Sequence, residues 1–400
     1  MRERSDYQEE ELADSGKRPN TIRYAAGLLM MTMVLTTFGL TMLYSASSSD
    51  VSAAATYFRS QLMWVGVGTA AGMAAFFGGY RFFCRYSWLW LAGCAVLLIW
   101  ARFSREINGA HRWIILGSFR LQPSELAKIA VALFVSWYCA EYLRTFNDMR
   151  RIKQGIWELA AGVGGIVLLI FWGDDMGTSV LVASMAFLTM FAGNLKWPYF
   201  LLPAGLLPII VVAIRLFDPM RWGRMTIFMD PEAEKTKAGY QLWNSLLALG
   251  SGSWYGMGLN NSRLKASYLP EAHTDFIISI IGEELGFVGV LTVILAYILW
   301  GCFAFSIAMS ARNRMGMLLG CAVSIGVLFQ AVINLGVVSG LFPTKGMPAP
   351  FISYGGSNMV CSLLAVGFLV SVAMDAAIPD YSVKLLGQLR QKLRIATRED

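Results

Sequence analysis

The chain has 400 residues, 56% of them hydrophobic and only 15% charged, with a formal net charge of +7 at pH 7. So few charged side chains cannot cover a water-soluble fold of this length, and the composition predicts a membrane protein. The six cysteines form no CxxC pair and all lie in or beside predicted helices, which argues against a disulfide framework or a zinc site.

Apolar runs near the ~20 residues needed to cross a bilayer recur along the chain. They fall at 24–45, 60–79, 87–101, 124–141, 157–172, 177–193, 198–216, 276–302, 316–341 and 357–378. These predict an all-α, polytopic protein of about ten transmembrane helices, the third and fifth short enough to be tilted or partly re-entrant. The first run follows a polar stretch and precedes no small-residue cleavage pattern, so it is expected to be a retained helix rather than a signal peptide. Residues 1–23 form a polar tail, 24–378 the membrane domain and 379–400 a second tail. Placing both tails in the cytoplasm puts 19 of the 33 basic side chains on the inner side within 79 residues, as membrane topology requires. That distribution accounts for the basic balance without nucleic acid.

The outer connections are then 46–58, 102–123, 173–176, 342–356 and one long loop, 217–274, between helices 7 and 8. A connection of that length containing the amphipathic stretch "YQLWNSLLALGSGSWYGMG" is a folded, functional element rather than a linker. No internal repeat is evident, which argues against an inverted-repeat transporter.

Within the helices, Gly68 and Gly72 form a GxxxG that lets another helix approach closely. Further on, "NGAHRWIILGSFRLQPSELAK" (108–128) ends in a helix start with Ser124 as the expected cap. Lys128, one turn inside an apolar helix, needs a partner, Glu125 at i−3 or a substrate, or must snorkel outward. Arg112 and Trp113 suit a phosphate beneath a sugar, or interfacial anchoring. "GDDMGT" (173–178) places Asp174 and Asp175 in a turn that suits a helix cap or a divalent cation, the cap being favoured.

In "YLPEAHTDF" (268–276), Pro270 is followed by Glu271 and Asp275, expected at i and i+4 on one face of a helix start, with His273 between them. Acids there are helix caps or a general base able to take a proton from a hydroxyl on a lipid-linked substrate. Glu283 and Glu284 are expected to bond polar neighbours. The glycines of "GSGSWYGMG" lack the context of a nucleotide-binding loop. Last, "LFPTKGMPAPFISYGGSN" (341–358) packs three prolines and three glycines around Lys345, Ser353 and Tyr354. Such backbone belongs where it is buried in protein or lines a polar cavity.

Taken in order, "NGAHRWI", "QPSELAK", "DMGT", "GYQLWNSLLALGSG", "LPEAHTDFIISIIGEELG" and "FPTKGMPAPFISYGGS" resemble the signature stretches of SEDS proteins, the FtsW, RodA and SpoVE family of bacterial wall synthesis. The resemblance covers roughly 23–378 and is nearest the FtsW and SpoVE branch. It implies a peptidoglycan glycosyltransferase that polymerises lipid II on the outer face of the cytoplasmic membrane during division or septal synthesis. Asp275 matches the family's essential aspartate and is the expected general base. Arg221, Arg224, Lys128 and Lys345 match its basic positions and, with Arg112, Glu271, His273 and Ser353, make up the expected substrate-binding set. A divalent cation, magnesium or manganese, is a candidate cofactor for the diphosphate leaving group. The implied partners are a class B penicillin-binding protein transpeptidase and other divisome membrane proteins. Two other readings stand beside this one: a lipid II flippase and a scaffold for a transpeptidase.

Overall fold

The computed structural model describes residues 20–48, 51–104, 106, 111–117, 119–146, 156–196, 239–262, 273–344 and 346–378, together with Tyr381 and scattered positions between 212 and 232. The helices are α1 (Thr21–Ala46), α2 (Val51–Gly78), α3 (Tyr80–Arg85), α4 (Ser87–Arg102), α5 (Pro123–Phe146), α6 (Ile156–Trp172), α7 (Met176–Ala192), α8 (Tyr240–Ser251), α9 (Ile277–Met309), α10 (Arg314–Val338) and α11 (Gly356–Ala377). Nine of the ten apolar runs therefore correspond to helices among the described residues. The seventh run, 198–216, lies almost entirely outside them.

What makes these membrane helices is visible in α1. Its buried residues, including Ala25, Leu28, Leu35, Met42 and Ala46, recur at intervals of three, four or seven along one stripe. The opposite side exposes Leu29, Met30, Met33 and Val34. A helix that is apolar on both its packed and its exposed faces needs hydrocarbon around it. Among the described residues five helices are long and apolar enough to span a bilayer, and α4, α6 and α7 are shorter apolar helices, as expected for the third and fifth runs.

Small residues let α2 and α11 meet. A Cβ at Gly68 would lie 3.1 Å from Val360 Cα, and one at Gly72 would lie 2.8 Å from the Leu363 carbonyl oxygen. The GxxxG thus serves the close approach predicted for it, with Gly367 opposite Gly72.

The connections sort to two ends. At one, the Tyr80 hydroxyl lies within hydrogen-bond distance of two acceptors, Asp375 Oδ2 (2.9 Å) and Asn313 Oδ1 (3.0 Å), Arg81 pairs with Asp375 (2.8 Å), and Arg314 donates to the Gly193 carbonyl (2.5 Å). The other end carries the turn before α7, the chain before α9, the α10–α11 connection and an unexpected feature. Residues Ile114–Leu116 (β1) and Phe119–Leu121 (β2) form an antiparallel pair in which Ile114 faces Leu121 and Leu116 faces Phe119. Gly117, at φ 62°, supplies the positive dihedral that a two-residue hairpin turn requires. The all-α expectation missed this ribbon because each strand is three residues long.

α9 is 33 residues long but broken at Gly286, whose φ of 69° no helix contains. The stretch after the break is about 34 Å long at 1.5 Å per residue, enough to cross a ~30 Å hydrocarbon core. Residues 252–258, the glycine-rich segment that follows α8, dock into the break. Met257 and Gly258 donate backbone N–H groups to the carbonyls of Glu283 (2.9 Å) and Glu284 (3.0 Å). On the far side, Phe287 and Val288 donate to Ser253 (2.9 Å) and Trp254 (3.2 Å). The loop thereby satisfies backbone groups that the break leaves unpaired. Beside it, Glu283 accepts from Ser262 and Glu284 from Ser45 (2.5 Å), the structural role expected for both acids.

Candidate active site

Three segments converge around Asp275: the chain before β1, the turn before α9 and the connection between α10 and α11. Asp275 sits in the turn 273–276, one residue ahead of Phe276, the N-cap of α9, whose own side chain makes no capping bond. The expected placement of Asp275 inside the first helical turn is therefore corrected: the helix begins two residues later. Its carboxylate faces Gly346, where an added Cβ would lie 2.7 Å from Asp275 Oδ2 and 3.7 Å from Arg112 Nη2. An acid and a guanidinium from positions far apart in the chain thus share one small patch of backbone. Arg112 Nε is buried without a hydrogen-bond partner, a donor held ready for an acceptor.

The turn is anchored on both sides. Asn334 of α10 donates to the Asp275 carbonyl (2.8 Å), and Tyr354 N–H donates to the His273 carbonyl (3.0 Å). The His273 ring lies against Tyr57, with centroids 4.4 Å apart, and near Tyr354 at 5.7 Å. Burial raises the Tyr354 hydroxyl above its ordinary range, which keeps it neutral in this cluster.

Ser353, expected to touch substrate, is fully buried. Its Oγ accepts from Ala349 N–H (2.8 Å) and its carbonyl accepts from Gln61 Nε2 (3.1 Å), bonds that shape the α10–α11 connection. Lys128 is also buried, 7% exposed, with Nζ 2.6 Å from Glu125 Oε2 and 2.5 Å from Gln330 Oε1. It thus has the i−3 partner the sequence suggested, and a second one from α10. Gln330 passes the connection on, donating to the Pro348 carbonyl (2.7 Å) and to Asn358 Oδ1 (2.9 Å).

Asp175 is the N-cap of α7, accepting from Thr178 N–H at 3.2 Å. Its other oxygen accepts from Gln122 Nε2 (2.9 Å) and Ser124 Oγ (2.7 Å). Ser124 is thus not the cap of α5 expected from sequence; it lies inside that helix and spends its hydroxyl on the next turn's acid. Asp175 is filled by these donors, which favours the cap over the cation. Among the described residues no group of three or more His, Cys, Asp and Glu side chains could hold a metal. Arg221, Arg224, Glu271 and Lys345 lie outside the described residues.

Sequence reading did not single out Tyr57, Gln61, Gln330, Asn334 or Gly346. The amides had a signal: Gln330 and Asn334 are polar residues four apart in an apolar helix, a pattern that demands a buried partner. Gly346 had none, since its role depends on which chains pass beside it.

A polytopic helical bundle that holds an aspartate, an arginine and a proline-rich strap together at one end defines a membrane enzyme or carrier acting at the bilayer surface. The family model FTSW_RODA_SPOVE, described as cell cycle protein, matches residues 26–378. The chain belongs to this family. It is similar to a probable peptidoglycan glycosyltransferase FtsW of Trichlorobacter lovleyi, 34% identical over 358 residues, covering 88% of this chain and 93% of the relative. The corresponding protein of Aromatoleum aromaticum is 38% identical over 370 residues, covering 88% and 87%. Among solved structures, a chain from a study of the structural coordination of polymerization and crosslinking by a peptidoglycan synthase complex superposes with a TM-score of 0.74 at 25% identity, covering 88% of this chain and 98% of that one. The rod shape determining protein RodA of Thermus thermophilus shares the fold, with a TM-score of 0.65 at 24% identity over 88% and 96% of the two chains.

Proposed function

We propose that the protein is a peptidoglycan glycosyltransferase that polymerises lipid II in bacterial division or septal wall synthesis, with Asp275 as general base. The observation that carries this reading is that the Asp275 carboxylate and the Arg112 guanidinium both lie beside Gly346, in a chain whose relatives are named for this activity. A carboxylate at the membrane surface takes the proton from the acceptor sugar's 4-hydroxyl as that oxygen attacks the donor's anomeric carbon. The bond to the isoprenoid diphosphate breaks, and its negative charge is met by cations. Arg112, with its unpartnered Nε, is one; Arg221, Arg224 and Lys345 are further candidates from the sequence. Lys128 acts from below, through the bonds that fix the α10–α11 connection. Glu271, His273 and Ser353 complete the binding surface, Ser353 by shaping its backbone.

Magnesium or manganese suits this chemistry, because such an ion needs only one or two protein carboxylates when diphosphate oxygens supply the rest. With Asp275 assigned as the base, the ion would be held chiefly by the diphosphate oxygens and would neutralise leaving-group charge. Both tails lie in the cytoplasm and the Asp275 end faces outward, a topology supported by the basic-residue bias. The partner is a class B penicillin-binding protein, within a larger divisome assembly.

The test supplies purified lipid II in detergent to the wild type and to Asp275→Ala, each alone and with a cognate transpeptidase. Polymer is expected from the wild type, and none from the variant at equal folding. Polymer from Asp275→Ala at the wild-type rate would remove the base. Movement of lipid II across sealed vesicles without polymer would favour the flippase.

A further inference from the structure

The helix α10 carries a pair of buried amides whose placement has a purpose beyond packing. Asn334 is 1% exposed, and its Nδ2 donates twice: to the Asp275 carbonyl at 2.8 Å and to the Met347 carbonyl at 2.7 Å. One nitrogen therefore ties the residue that carries the carboxylate to the stretch of the α10–α11 connection that begins with Gly346. Those are the two segments whose contact defines the site. One turn away, Gln330 repeats the device on the next residue, donating to the Pro348 carbonyl at 2.7 Å while accepting from Lys128 at 2.5 Å.

The orientation of the Asn334 amide follows from its partners. Two carbonyls converge on Nδ2, so a flipped amide would set an acceptor against two acceptors. Its Oδ1 is left buried without a hydrogen-bond partner. A buried acceptor left unmet is uncommon and calls for a reason. Here both donor hydrogens are spent on site backbone at the expense of the acceptor. Threonine or serine would offer one donor, leucine none, and aspartate would repel both carbonyls.

We propose that Asn334 is a positioning residue for Asp275: it fixes the separation between the Asp275 turn and the Gly346 segment of the α10–α11 connection, while Gln330 fixes the following residue and links it to Lys128. It touches neither substrate nor reacting atoms. Loss of the double donor lets the two segments drift apart, and a misplacement near 1 Å costs on the order of a hundredfold in rate.

This rests on the glycosyltransferase reading, and the experiment separates the two. Initial rates of polymer formation from purified lipid II, each with a cognate transpeptidase present, are measured over a range of concentrations for the full-length wild type, Asn334→Leu and Asn334→Gln, with thermal unfolding in detergent recorded for each. Asn334→Leu is expected to lower kcat by roughly ten- to a hundredfold, with KM for lipid II within about twofold. Asn334→Gln, which keeps both N–H donors on a longer stem, is expected to regain at least about threefold of the lost kcat. A merely structural role would shift Tm without this split and would gain nothing from a restored donor pair. If the leucine variant does not fold, Asn334→Ser is read in its place, with the same expected loss. A folded leucine or serine variant within about twofold of wild-type kcat overturns the positioning role, as does a folded glutamine variant no better than leucine. A wild type that makes no polymer sinks the glycosyltransferase reading, and the positioning role with it.

Discussion

Gly346→Ala is the sharpest probe of the site, because it adds one carbon at a point that both charged side chains of the site flank. The backbone there is not among the positive-φ positions, so alanine brings no conformational strain. Its Cβ would lie 2.7 Å from Asp275 Oδ2 and 3.7 Å from Arg112 Nη2. Non-bonded heavy atoms settle at about 3.5 Å or more, so the carboxylate oxygen must retreat by roughly 0.8 Å while the guanidinium stays where it is. A displacement of that size in a group that must accept a proton in flight is expected to lower kcat roughly 10- to 100-fold. That loss corresponds to about 1.4 to 2.7 kcal/mol of transition-state stabilisation. Stability moves the other way or not at all, since Gly→Ala at a compatible position contributes about 0.4–1 kcal/mol by restricting the unfolded chain. The assay is polymer formation from lipid II beside thermal unfolding in detergent. An alanine variant with unchanged Tm and kcat within about threefold of wild type would refute the claim that Asp275 acts from the position seen beside Gly346.

Two further expectations concern the frame. Lys128→Met leaves the Glu125 carboxylate buried without its cation and should destabilise the protein by about 3–5 kcal/mol, whereas Lys128→Met with Glu125→Gln should recover most of that loss; thermal unfolding of the two variants decides it, and equal Tm values would remove the buried pair as the cause. Gly72→Leu drives a side chain into the Leu363 carbonyl, where even a Cβ would lie at 2.8 Å, and is expected to cost about 1–3 kcal/mol or more; an unchanged unfolding midpoint would mean that α2 and α11 do not rely on this contact.

Helix existence was legible because a span of bilayer demands a run of apolar residues, and each described run became a helix. Boundaries were less so. Asp275 reads as a helix start because acids favour that place, but the turn 273–276 is held by Asn334 and Tyr354, partners some 60 to 80 residues away. Ser124 reads as a cap by local pattern, yet it bonds to Asp175 from another turn. The acid, the arginine and the lysine of the site could be picked out as costly residues in a greasy chain. Gly346, Gln61 and the direction of the Asn334 amide could not, since each depends on three-dimensional neighbours. The hairpin was illegible because alternation over three residues is no signal.

The stretch 252–258 sits in the break of α9 with bonds to residues on both sides of Gly286. Its registry against the helix is therefore fixed residue by residue, like a splint cut to one fracture. A residue inserted or removed inside it would misalign the carbonyls of Ser253 and Trp254 and the N–H groups of Met257 and Gly258 at once. A long surface connection ordinarily tolerates changes of length. In this chain that tolerance stops at the docked segment, and any growth or shrinkage of the 217–274 loop has to be taken up elsewhere along it.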